Sequence, residues 1–122
     1  MAVTGMRFRL LQGVAAELDG EDVVLGPPRE RLLLAVLLEA NGALVPVDRL
    51  VECFWPGAAP PRTARDLIHE YAKKLRGRLV TAGAGPVIPR GSGGYRTEVP
   101  RENVDLYRFR DLLTEARSAR FP

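Results

Sequence analysis

A chain of 122 residues, 46% hydrophobic and 27% charged, is long enough to fold around one real core and too short for two domains of ordinary size. No run approaches the ~18 apolar residues that span a bilayer, and the N-terminus lacks the apolar segment of a signal peptide, so a cytoplasmic protein without a membrane partner is expected. One cysteine, Cys53, excludes an intrachain disulfide, and one histidine, His69, leaves too few ligands for a usual zinc site; with no nucleophile motif in the chain, no catalytic residue, metal or cofactor is expected.

In chain order, residues 6–12 alternate Met6, Phe8 and Leu10 with Arg7 and Arg9, which predicts a half-buried strand. Residues 14–18 and 23–25 read as two further strands around Asp19-Gly20, a dipeptide suited to a tight hairpin. Gly26-Pro27-Pro28 ends this antiparallel sheet. A helix over residues 29–40 follows, stopped by Asn41-Gly42 and apolar on almost every side, which predicts that it is covered all round. Leu44-Val45 suits a bridge strand, and Val47, Leu50, Val51, Phe54 and Trp55 recur at helical spacing. The linker over residues 55–61 is longer than the three or four residues of a simple helix-turn-helix and suggests a partner surface.

The chain is organised around residues 61–79. At 100° per residue, Ala64, Ile68, Tyr71, Ala72, Leu75 and Leu79 form one stripe, and Asp66, His69, Glu70, Lys73, Lys74 and Gly77 the opposite one. Arg65, Arg76 and Arg78 flank the second stripe, where guanidinium groups can reach two phosphate backbones if that face enters a major groove. A plainer reading of the same residues is a solvated face with ordinary Glu70 to Lys74 pairing, and Thr63 with Asp66 fits a capping box. Charge distribution favours the first. Residues 1–60 carry five Arg against eight acids, residues 61–101 nine Lys and Arg against three acids, and residues 102–122 four against four. Local positive charge of this kind is the footprint of a nucleic-acid face. An alternative source exists, because 16 of the 18 basic residues are Arg, in keeping with GC-rich coding.

Two short strands, over residues 87–90 and 95–99, enclose Gly91-Ser92-Gly93-Gly94 and predict a hairpin with Arg90 at its tip, suited to a minor groove. Leu106, Phe109, Leu113 and Ala116 then form an apolar stripe that predicts a helix packed either on a further module or as a lid on this one.

The ordered set Gly26-Pro27-Pro28-Arg29-Glu30-Arg31, Val47-Asp48-Arg49-Leu50, Phe54-Trp55, Pro60-Pro61-x-x-Ala64-Arg65, Leu75-Arg76, Gly94-Tyr95-Arg96 and Val104-Asp105-Leu106-x-x-Phe109 resembles a winged helix of the OmpR/PhoB type. More closely, it resembles the N-terminal domain of Streptomyces antibiotic regulatory proteins, over about residues 6–117. The resemblance implies an α+β winged helix-turn-helix over residues 1–101, with an N-terminal antiparallel sheet, a three-helix core and a C-terminal β-hairpin wing. Residues 102–122 would start a helical bacterial transcriptional activation domain. The implied function is transcriptional activation at direct repeats near a promoter, for a secondary-metabolite (antibiotic) gene cluster. Partners would be double-stranded DNA, RNA polymerase holoenzyme through Trp55, Pro56, Gly57, Ala58, Ala59 and Pro60, and a second copy lying head to tail on the duplex. On this reading His69, Glu70, Tyr71, Lys73 and Lys74 lie near base edges, Arg62, Arg65 and Arg76 lie on phosphates, and Arg90, Gly91 and Ser92 form the wing contact. Five phosphate contacts, from Arg62, Lys73, Lys74, Arg76 and Arg90, would give a log K against log salt slope of about −4.5. Two residues depart from the family pattern: Glu70 is acidic, and Pro46 replaces a hydroxyl cap. A winged helix that binds protein instead of nucleic acid is the alternative, favoured by Asp66 and Glu70.

Overall fold

The N-terminal residues build a three-stranded antiparallel sheet in the computed structural model, which describes residues 6–9, 15–18, 20–23, 25–83, 87–89, 93–107 and 110–111. Strands β1 (Met6–Arg9), β2 (Ala15–Leu18) and β3 (Glu21–Val23) follow in order, with Phe8 opposite Ala16 and Leu18 opposite Glu21. The expected alternation holds: Met6, Phe8 and Ala16 are buried while Arg7 is exposed. β3 starts two residues earlier than its apolar run suggests. Gly20, with φ of 85°, closes the turn so tightly that Glu21 already pairs with Leu18, and Leu25 is buried beyond the strand.

Helix α1 (Pro28–Glu39) opens on two prolines whose missing N–H groups cost nothing there, and it stops where Asn41 and Gly42 take φ of 55° and 84°. Its cover is one-sided, contrary to the all-round burial expected. Leu33, Leu34, Leu37 and Leu38 are buried, whereas Leu32 keeps 40% of its surface, because α2 and α3 pack on the side of α1 that Leu32 does not share. Strand β4 (Val45–Pro46) leads straight into α2 (Val47–Phe54), and after a loop comes α3 (Ala64–Thr81), packed on both earlier helices.

The wing departs from the expected pair of strands. Among the described residues its arms share one backbone bond, from the Glu98 N–H to the Val87 carbonyl at 2.8 Å, and Pro89 has no N–H with which to extend a ladder. The second arm instead supplies β5 (Gly94–Tyr95), paired antiparallel with β4 through Val45 and Tyr95. A 3-10 turn, Arg101–Asn103, then brings Val104 alongside Phe8 in a parallel bridge. Val104 and Tyr107 are buried in the same core as the helices, so the packed unit runs past residue 101. The wing-tip residues Arg90, Gly91 and Ser92, and Phe109, Leu113 and Ala116 of the terminal stripe, lie outside the described residues. No helix among the described residues is long and apolar enough to cross a membrane.

Candidate nucleic-acid interface

Helix α3 is held by the stripe its periodicity marks out: Ala64, Ile68, Ala72, Leu75 and Leu79 are all buried at 4% exposure or less. The opposite stripe, Asp66, His69, Glu70, Lys73, Lys74 and Gly77, is exposed throughout. With 18 residues the helix is ~27 Å long, and it presents these side chains on one continuous face. Arg62 and Arg65 are exposed at its start. The Thr63 hydroxyl makes no cap bond, so the expected capping box is not formed; the first turn is closed by backbone bonds from Ala64 to Pro61 and from Leu67 to Thr63.

Tyr71 does not stand on the exposed face. It is half-buried, its ring is stacked on Phe54 at 5.7 Å, and its hydroxyl accepts a hydrogen bond from Arg29 Nη1 at 3.2 Å. Its position at the edge of the apolar stripe draws the ring toward α2.

The cations differ in what holds them. Lys73 has no ion pair among the described residues. Lys74 pairs with Glu70 at 2.8 Å one turn away, which pushes the Lys74 ammonium up and the Glu70 carboxyl down from their ordinary values. Both partners are more than half exposed, so the pair contributes little to stability and exchanges readily for a phosphate. Arg65 is ion-paired with Asp48 in the first turn of α2, again at the surface. Arg76 is half-buried, and its Nε donates to the Ile88 carbonyl at 2.9 Å, so it joins α3 to the first arm of the wing. A second joint lies beside it. Nδ1 of His69 is hydrogen-bonded to the Tyr95 hydroxyl, with the two rings edge to face at 5.6 Å.

Arg78 serves the scaffold. Its Nε donates at 2.7 Å to Glu30, a carboxylate only 3% exposed at the start of α1, and its guanidinium lies where any side chain on Gly26 would be. Sequence reasoning missed this clamp, since no local signal links positions 48 residues apart. Arg78→Ala leaves the Glu30 carboxylate enclosed without a cation. A fully enclosed pair would cost roughly 3–5 kcal/mol to break, but Arg78 is 40% exposed, so about 2 kcal/mol is expected, read as a lower urea midpoint. Adding Glu30→Gln to Arg78→Ala should restore part of that loss, because the lone buried charge is then gone.

No protein-family model matches the chain. It is similar to the regulatory protein AfsR of Streptomyces coelicolor, with 36% identity over 116 residues, 94% of this chain and 11% of the relative. It is also similar to the transcriptional regulatory protein EmbR of Mycobacterium tuberculosis, with 38% identity over 104 residues, 84% of this chain and 26% of EmbR. The chain thus spans about a quarter or less of the length of these two relatives. Among solved structures, EmbR in complex with a low-affinity phosphopeptide superposes with a TM-score of 0.76 at 36% identity, over 86% of this chain and 28% of that one. The DNA-binding domain of E. coli CadC gives a TM-score of 0.58 over 82% of this chain and 94% of that one; at 19% identity this likeness concerns the fold alone. The order of sheet, three helices and wing is shared with EmbR, and over most of its length the chain is similar to regulators of the Streptomyces antibiotic regulatory protein type through this winged-helix domain.

Proposed function

We propose that the chain binds double-stranded DNA by laying the exposed face of α3 in a major groove, and that it does so as part of a transcriptional activator. The observation that carries this reading is the unbroken solvent face of α3, with Lys73 and Lys74 central and Arg62 and Arg65 at its start, backed by a fully buried apolar stripe. A helix fixed on one side and cationic on the other has the geometry that groove reading requires. The two named relatives are regulatory proteins, which supports a role in transcription. In this reading His69 and Glu70 face base edges, Lys73 and Lys74 reach base edges and the phosphates beside them, Arg62 and Arg65 face the backbone, and Arg76 lies beside the backbone while bound to the wing, with Arg90, Gly91 and Ser92 following the adjacent groove. The loop from Trp55 to Pro60, exposed from Pro56 onward, is the surface offered to RNA polymerase. Direct repeats one helical turn apart, occupied by two copies head to tail in the cytoplasm near an antibiotic-cluster promoter, complete the proposal.

Salt dependence tests its electrostatic part. With Arg76 hydrogen-bonded to the wing and Arg78 to Glu30, the exposed cations left for phosphate on α3 and at its start are Arg62, Arg65, Lys73 and Lys74, and four phosphate contacts predict a log K against log salt slope of about −3.6. Fluorescence anisotropy with a labelled duplex at several salt concentrations measures it, and a slope near zero would remove the phosphate contacts. A protein-binding winged helix remains the second reading, favoured by the pairing of Glu70 with Lys74, which lowers the net charge of the face.

A further inference from the structure

Among the described residues, the exposed face of α3 meets the wing through His69, whose ring is hydrogen-bonded to the hydroxyl of Tyr95. We infer that Tyr95 is a specificity-determining positioning residue: its hydroxyl, held against Nδ1, keeps the imidazole proton on Nε2, so the recognition helix offers a fixed N–H donor to one base edge. This inference rests on the reading of α3 as a groove-reading helix and deepens it.

A neutral imidazole has one donor and one acceptor nitrogen, and the partner of one nitrogen decides the role of the other. Between a phenol and a neutral imidazole, the phenol is the better donor and the ring nitrogen the better acceptor, so Tyr95 O–H donates to Nδ1. Two features strengthen that direction. Burial pushes the Tyr95 phenol up from its ordinary value, which keeps it protonated, and the nearby Arg76 guanidinium polarises its O–H bond. The backbone that carries the phenol is pinned as well. Tyr95 pairs with Val45, and Gly94 lies against the β4 backbone so closely that no side chain fits between them.

With Nε2–H as the outward group, His69 suits an acceptor in the major groove: N7 or O6 of guanine, N7 of adenine or O4 of thymine. It disfavours cytosine, which presents only a donor there. A ring of undefined tautomer would accept either pattern and discriminate less.

The chain holds one histidine, so two-bond proton–nitrogen NMR of the nitrogen-labelled protein reads this ring alone. The wild type should show Nε2 protonated and Nδ1 as acceptor, and Tyr95→Phe should give a mixture of tautomers while retaining the wild-type melting curve. In parallel, a duplex selected from a randomised pool by the wild-type chain is compared with a scrambled duplex of equal length. Tyr95→Phe should lose roughly tenfold in affinity for the selected duplex and nothing for the scrambled one. In a His69→Gln background, whose amide N–H needs no tautomer to be set, Tyr95→Phe should have no further effect. An unchanged tautomer, or undiminished discrimination by Tyr95→Phe, overturns the inference and leaves DNA binding standing. A wild-type chain that holds both duplexes alike, or neither, overturns the groove-reading proposal and the inference with it.

Discussion

Reversing Lys73 and Lys74 together to Glu is expected to weaken binding to double-stranded DNA on the order of 100-fold at about 0.1 M salt. Each phosphate contact releases close to one counterion, which at that salt is worth about eightfold in affinity, so losing two contacts alone gives roughly 60-fold. Two carboxylates against phosphate raise the figure further. The fold should survive, since both lysines are exposed and neither touches the core. Lys74→Glu does put a like charge one turn from Glu70, a small penalty at so exposed a site. A swap variant, Glu70→Lys with Lys74→Glu, keeps that pair and the net charge. It should bind a scrambled duplex as the wild type does but lose its preference for a selected one. Gel-shift titration of all three proteins separates the proposed function from its alternative: a doubly reversed chain that binds DNA like the wild type would exclude α3 as the contact. A protein-binding winged helix, by contrast, would not shift DNA even with both lysines in place.

Much of this surface was legible in the chain, and the reason is local. Ala64, Ile68, Ala72, Leu75 and Leu79 recur at the helical period, so their burial follows from spacing, and the exposed stripe is what remains. Asp19-Gly20 and Asn41-Gly42 likewise place the turn and the helix end through backbone preferences of single residues. Tyr71 shows where periodicity stops being informative. It falls at the border of the stripe, and which way its ring turns is decided by Phe54 and Arg29, 17 and 42 positions away. The clamp between Arg78 and Glu30 and the contact between Tyr95 and His69 are of the same kind, built by tertiary packing between residues 48 and 26 positions apart. The wing misled for a different reason. Its apolar runs suit strands, but Val87 and Ile88 are followed by Pro89, and the partner with free hydrogen-bonding groups for Tyr95 is β4.

Gly94→Ala should be the most damaging small substitution in the wing, because the atoms it meets cannot turn aside. An added Cβ would collide with the Val45 carbonyl oxygen and lie 2.8 Å from the Val45 carbonyl carbon and 2.9 Å from Pro46 Cα, all backbone of β4. β4 has no slack, since Pro46 is also the residue on which α2 begins. Overpacking usually costs roughly 1–3 kcal/mol when side chains can shift, and backbone neighbours place this case at about 3 kcal/mol, a fall of roughly 10 °C in melting temperature. Any of the variant that folds should also lose the His69 tautomer set by Tyr95, since β5 must move away from β4 and takes the hydroxyl with it. Gly77→Ala supplies the contrast. Gly77 lies on the exposed face of α3 at a helical φ, with nothing within 4 Å of an added Cβ, so alanine there should stabilise the protein by about 0.5–1 kcal/mol through helix propensity. Opposite signs from the same one-carbon change, read in paired calorimetric melts, would establish that β5 is seated on β4; a Gly94→Ala protein melting with the wild type would show that the wing is held some other way.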